Sequence, residues 1–174
     1  MTLLIIISAL LYSSLVEYCI HRFVQHSSYE KKHIKEHHRI FHGIKSYEAE
    51  DGKPEDIISG FKDNLEIGIV YLLPAVMLFN QNIIYLLLFV VVCFLYNFWG
   101  ERVHLYSHIS KNGFIERLEV FKKLKEHHRV HHYIYYSNYG VGTTFWDRVF
   151  RTKKAADKEY EARVAKRLNI PRGE

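Results

Sequence analysis

The chain has 174 residues, of which 48% are hydrophobic, 15% aromatic and 25% charged, with a formal net charge of +5. This length fits one domain, predicted to span residues 1–174. The aromatic content excludes an intrinsically disordered chain. Two cysteines without a CxxC pair exclude a disulfide scaffold and a structural zinc ribbon.

Lysine and arginine are absent from residues 1–21 and 63–101, and these are also the apolar parts of the chain. Residues 1–20 have about the length needed to cross a hydrocarbon core. The second block is interrupted by Asn80-Gln81-Asn82, which divides it into spans at 65–79 and 83–99. We therefore predict an all-α membrane bundle of about three transmembrane helices.

Each apolar block has an alternative interpretation. A signal peptide has a similar length to residues 1–20, but this segment lacks a basic beginning and no small-residue cleavage site follows it. Residues 65–99 could instead form the buried hairpin of a water-soluble bundle. The absence of cations from both blocks favours membrane helices.

The positive-inside rule predicts that the two basic stretches, residues 22–62 and 102–174, lie in the cytosol and the N-terminus on the opposite side. Lysines and arginines next to apolar spans are expected to face anionic headgroups. Basic residues also alternate with Tyr133, Tyr135 and Tyr136, a pattern that can bind nucleic acid. Tyrosines at a membrane interface account for it better, and we predict no nucleic-acid partner.

Between these spans, residues 47–63 read as a surface connector with an interfacial turn at Ile57, Ile58 and Phe61. Residues 155–174 read as a polar, solvated tail.

The twelve histidines form four clusters, all in the predicted cytosolic stretches 21–42 and 104–132. The clusters read HRFVQH, HIKEHHRIFH, HLYSH and HHRVHH. Helix positions three or four residues apart share a face, so each cluster can direct two or three imidazoles to one point. Imidazole suits iron, zinc, copper and nickel, and so many ligands suggest two metal ions. A helical, histidine-rich metal-binding cap is therefore predicted on the cytosolic side.

Other histidine chemistries fit less well. A zincin peptidase needs HExxH, which is absent, and bis-histidine haem needs one histidine per helix rather than clusters outside the membrane. A non-catalytic histidine-rich membrane protein that binds or transports metal ions remains an alternative, because clusters alone do not distinguish transport from catalysis.

Residues 127–152, with His128, His131 and His132 followed by Asn138-Tyr139-Gly140 and Trp146-Asp147, resemble the last histidine box of the fatty acid hydroxylase and sterol desaturase superfamily. EYCIHRFVQH is similar to its first box and HLYSH to its third. The chain departs from the family in its second box, where HxxxHH replaces HxxHH, and at Arg151, where a small residue is common.

The resemblance implies an integral membrane enzyme that uses dioxygen to hydroxylate or desaturate a lipid. It also implies two iron ions, with zinc as another occupant, and a separate electron donor of the cytochrome or ferredoxin type. The implied metal ligands are His21, His26, His33, His37, His38, His104, His108, His128, His131 and His132, with His42 and His127 as further possibilities.

Three residues near the boxes are assigned structural roles. Glu17 lies four residues before His21, and Glu101 lies three residues before His104. Each is placed to accept a hydrogen bond from the ring N–H of that histidine that does not face the metal. For Glu17, a water-facing position at the membrane boundary fits equally well. Asn138 is either a hydrogen-bond donor that supports a ligand from outside or, as we favour, a turn residue before Gly140.

Overall fold

The computed structural model describes residues 1–26, 33, 37, 38, 41, 53, 54, 57, 58 and 60–155. Across these residues it is all-helical and contains no strand, which confirms the predicted class. The helices are α1 (Thr2–Cys19), which continues into a π-helical segment (Ile20–Gln25), α2 (Phe61–Phe79), α3 (Ile83–His108), α4 (Phe114–Arg117), α5 (Glu119–Tyr133) and α6 (Phe145–Val149).

The helices α1, α2 and α3 pack around a common apolar core. Its fully buried members come from all three: Ile5, Ala9, Tyr71, Ala75, Phe89 and Cys93. Small residues let the backbones approach closely, and the Cys93 thiol lies 3.7 Å from the Ala9 carbonyl oxygen. The Tyr12 hydroxyl donates to the Val70 carbonyl at 2.9 Å and ties α1 to α2.

Two helices are long and apolar enough to cross a membrane, Thr2–Gln25 and Ile83–His108. The predicted span at 65–79 does form a helix, α2, but it begins with Lys62, Asp63 and Glu66 and is not among them. All three helices nevertheless expose large apolar side chains. Leu3, Leu73 and Leu95 are each more than 60% exposed, as expected of surfaces that face lipid tails.

The α3 helix is longer than its predicted span at 83–99. It begins after Asn82, whose side chain accepts the Tyr85 N–H at 3.2 Å, so the predicted polar turn separates α2 from α3. It then continues without a break to His108, and one helix of 26 residues, about 39 Å long, therefore carries both apolar residues and box histidines.

Ile57 lies in a turn, as predicted, and its N–H donates to the Pro54 carbonyl at 3.0 Å, but its side chain is buried against Phe41 and Leu105. The prediction of a purely surface connector at residues 47–63 is wrong at this position, because the apolar side chain fills a space beside α3. His42 and residues 156–174 of the predicted tail lie outside the described residues.

Candidate metal centre

Ten histidines meet in two adjacent groups of five, and in each group the ligand atoms lie within 4.8 Å of one another. We call them the His21 group and the His104 group. The His21 group consists of His21, His26, His33, His38 and His131, and the His104 group consists of His37, His104, His108, His128 and His132. These are the ten residues singled out from the sequence.

Neighbouring histidines belong to different groups. His37 and His38 are adjacent in the chain but belong to different groups. On α5, His131 belongs to the His21 group, whereas His128 and His132 belong to the His104 group. The two groups therefore touch, and the rings of His38 and His132 stack with their centroids 4.3 Å apart. The arrangement is one cluster of two adjacent groups, each of which has donor atoms that could hold a metal ion.

The π-helical segment after α1 brings His21 and His26 together. The two residues are five apart, a spacing that an α-helix places on different faces. Here the His26 N–H donates to the His21 carbonyl at 3.1 Å, an i to i+5 bond that lengthens the turn. Their ring centroids consequently lie 5.0 Å apart.

The donor atoms fit metal ions. In the His21 group, the His26 Nε2 lies 3.0 Å from the His131 Nε2 and 3.2 Å from the His38 Nε2. In the His104 group, the His128 Nε2 lies 3.1 Å from the Nε2 atoms of both His108 and His132. Two imidazole nitrogens bound at right angles to one metal ion at about 2.1 Å would lie roughly 3 Å apart.

The opposite edges of three rings are fixed by backbone carbonyls. The Nδ1–H of His21 donates to the Tyr139 oxygen at 2.5 Å, that of His131 to the Ser137 oxygen at 2.6 Å, and that of His132 to the Phe41 oxygen at 2.6 Å. A carbonyl only accepts, so in each ring the Nδ1 carries the proton and the Nε2 lone pair faces the centre. Such bonds orient ligands and make them more basic.

Burial keeps the imidazoles neutral. It lowers the pKa of His26 to about 3, and charge repulsion from the neighbouring His21 and His37 imidazoles adds a smaller lowering. Burial and neighbouring imidazoles also lower the pKa values of His128, His131 and His132 well below the ordinary histidine value. Neutral imidazole is the form that binds metal, so no proton has to be released.

Glu17 adopts neither of its two predicted roles. Its carboxylate accepts the backbone N–H groups of Val141 and Gly142 and the Tyr96 hydroxyl, the last at 2.5 Å. The His21 ring donates to Tyr139 instead. Glu17 thus ties α1 and α3 to the loop that holds His21, rather than contacting the ring. Glu101 is half-buried and borders the cavity described below.

His127, a possible extra ligand, belongs to neither group. Its Nε2 lies 3.0 Å from the Asp147 Oδ2, and this carboxylate also accepts the Tyr139 and Gly140 N–H groups, each at 2.8 Å. Burial alone raises the pKa of Asp147, but hydrogen bonds from His127, Thr152 and Gly140 outweigh it and leave the pKa below its ordinary value. Asp147 is therefore a buried anchor for the loop.

The loop after α5 contains two positions with strict requirements. A Cβ on Gly140 would come within 2.1 Å of the Thr143 oxygen, which only glycine avoids. Asn138 has a φ of 55°, and its amide donates to the His127 and Lys154 carbonyls at 3.0 Å each. The left-handed backbone at Asn138 is a conformation that asparagine tolerates, and its side chain joins the end of α5 to the chain after α6.

The variant Asp147→Ala is expected to lose about 3–5 kcal/mol of unfolding free energy, because it leaves buried donors without an acceptor. Asp147→Asn, which keeps one acceptor oxygen, should lose less. Thermal unfolding of the three proteins in detergent measures the difference. Equal unfolding temperatures for Asp147→Ala and the wild type would contradict the anchoring role.

A cavity of about 130 Å³ lies between the three long helices and the centre. Its polar end includes His21 and His33 of one group and His37 and His104 of the other. Its apolar wall includes side chains of α1, the π-helical segment and α2: Val16, Ile20, Ile67 and Tyr71. The cavity thus borders apolar helix surfaces and both histidine groups.

Some of these features carry a sequence signal and others do not. Asp147 follows Trp146 in a short apolar segment near the last histidine box. This motif marks Asp147 as a residue of interest but does not predict that it contacts His127. The carbonyl oxygens of Phe41, Ser137 and Tyr139 have no such signal, since every residue has one.

A family model described as fatty acid hydroxylase matches residues 6–152. The comparisons with curated proteins and with solved structures gave no match. The match covers every described histidine of the two groups and the loop after α5. Together with the two apolar helices it indicates an integral membrane protein. The chain belongs to the fatty acid hydroxylase family, within the sterol desaturase and fatty acid hydroxylase superfamily.

Proposed function

We propose that this protein hydroxylates or desaturates a C–H bond of a membrane lipid, using dioxygen and a separate electron donor of the cytochrome or ferredoxin type. The observation that carries the proposal is the cavity, which borders both histidine groups and the apolar side chains of the membrane helices. A centre for lipid chemistry needs this combination of metal ligands and an apolar wall.

The ten histidines are the proposed ligands of two iron ions, and zinc can occupy the same kind of site. When bound there, two redox metals would supply the activation of dioxygen and the removal of hydrogen from an unactivated carbon. The residues of the chain provide position and shielding. Carbonyls of the loop after α5 orient His21 and His131. Val16, Ile20 and Ile67 offer an apolar surface on which a lipid chain can lie while water is excluded.

The proposed topology has three crossings, with α2 as the third, in a single domain over residues 1–174. The histidine groups and the C-terminus lie in the cytosol and the N-terminus on the opposite side, as the positive-inside rule predicts. The exposed apolar faces of Ile69, Leu73 and Met77 on α2 support its place in the bilayer.

The experiment uses protein from iron-supplied cells that is reconstituted with polar lipids of the expression host and reduced with dithionite under anaerobic conditions. The excess dithionite, which itself consumes dioxygen, is removed before the protein is exposed to ¹⁸O₂. Mass spectrometry is expected to find lipid that has gained one ¹⁸O atom or lost two hydrogen atoms. The His104→Ala variant should give neither product. Protein that holds metal but leaves both the lipids and dioxygen unchanged would contradict the proposal and favour a protein that binds or transports metal ions.

A further inference from the structure

The short helix α6 has two chemically different sides. Asp147 is fully buried and faces the loop that holds the histidine centre. On the other side, Phe145, Val149 and Phe150 are 46%, 51% and 47% exposed. Arg148 and Arg151 are exposed beside them. This is the pattern of a segment with an apolar face and cations at its edge.

Contacts with α1 fix where this helix lies relative to the membrane. The Trp146 indole N–H donates to the Ser14 hydroxyl at 3.0 Å, and the Phe150 ring stacks on Tyr18 with centroids 5.2 Å apart. Ser14 lies seven residues before His21, roughly 10 Å along the axis, inside a helix that is long and apolar enough to cross a membrane. The α6 helix is therefore displaced from the histidine centre toward the lipid.

The exposed face of α6 also continues a surface that faces lipid. Leu10 and Leu11, one turn before Ser14 on the same side of α1, are each 43% exposed within the apolar part of that helix. A partner that covers Leu10 and Leu11 and reaches Ser14 next meets Phe145, Val149 and Phe150. For a membrane-spanning α1, that partner is the bilayer.

We propose that the outer face of α6, formed by Phe145, Val149 and Phe150, lies in the boundary between lipid headgroups and acyl chains, with Arg148 and Arg151 at the level of the headgroups. The helix that carries Asp147 thus rests on the membrane. The bilayer thereby supports the loop whose Tyr139 carbonyl accepts a hydrogen bond from the His21 ring. This inference depends on the membrane placement of α1 and not on metal binding or catalysis.

The test places a nitroxide spin label at Val149→Cys and measures its collisions with dioxygen and with a water-soluble nickel chelate. The background is Cys19→Ser, Cys93→Ser, since these are the two cysteines of the chain, and the protein is held in vesicles of phosphatidylcholine and phosphatidylglycerol. Dioxygen concentrates in acyl chains and the chelate stays in water. The matched control is a label at Lys122→Cys, an exposed position on α5.

The label at position 149 is expected to collide at least about twice as often with dioxygen as the label at position 122, and correspondingly less often with the chelate. Equal access of both labels to the chelate would overturn the proposal. A second measurement needs no change at α6. In Trp99→Phe protein, where Trp146 is the one remaining tryptophan, fluorescence should be quenched more by lipids brominated near the headgroup than by aqueous iodide, and the reverse order would overturn the proposal.

Discussion

His128→Gln is expected to lose bound metal and lipid oxidation, whereas the same substitution one residue earlier, His127→Gln, is expected to keep both. The His128 Nε2 lies 3.1 Å from two other donor nitrogens of the His104 group. The His127 Nε2 lies against Asp147, and a glutamine amide can donate to that carboxylate as well. Loss of an outer hydrogen bond typically costs 10–100-fold in affinity or activity, so loss of a ligand should reduce oxidation by more than about 100-fold.

The measurement is the metal-to-protein ratio together with the rate of dioxygen-dependent lipid oxidation, for both variants and the wild type. Near-identical elution from a sizing column verifies that the variants are folded. Loss of metal in His127→Gln, with metal retained in His128→Gln, would reverse the assignment of these neighbours and contradict the two-group arrangement.

Glu17→Ala is expected to weaken both the fold and the metal centre. Its carboxylate accepts the amides of Val141 and Gly142 and the hydroxyl of Tyr96. Removing it leaves buried donors without an acceptor, which should lower the unfolding free energy by about 3–5 kcal/mol. Tyr139, two residues before Val141, holds the His21 ring, so metal affinity should also fall about 10–100-fold.

Two milder variants serve as controls for Glu17. Tyr96→Phe removes one hydroxyl donor and should cost about 0.5–1.5 kcal/mol. Glu17→Gln keeps one acceptor oxygen for the two amides, and its metal affinity should stay closer to the wild type. Thermal unfolding and competition with a metal chelator measure the two effects. A Glu17→Ala protein with wild-type metal affinity would show that the loop holds His21 without this carboxylate.

The sequence predicts much of the centre because its signal is local. Dense histidine clusters identify the boxes, the family resemblance selects ten of the twelve histidines, and strongly apolar blocks identify α1 and α3. The sequence does not predict how the ligands divide between two groups, since His37 and His38 are adjacent and diverge only through tertiary packing. The five-residue spacing of His21 and His26 becomes meaningful only with the π-helical segment.

Long-range polar contacts are the other part that pattern reasoning does not reach. Glu17 meets Val141 and Gly142 across more than 120 residues, so its position four residues before His21 points to the wrong partner. The apolar signal is weakest for α2, because Lys62, Asp63 and Glu66 lie near the start of this helix.

The most direct test is the number and identity of metal ions in detergent-purified protein from iron-supplied cells, by elemental analysis against protein concentration. We predict about two iron ions per chain, and fewer in His131→Ala and in His108→Ala, one variant for each group. Two zinc ions per chain in place of iron would keep the site but contradict the iron assignment. Wild-type protein that holds no more metal than either variant would contradict the two-metal centre itself.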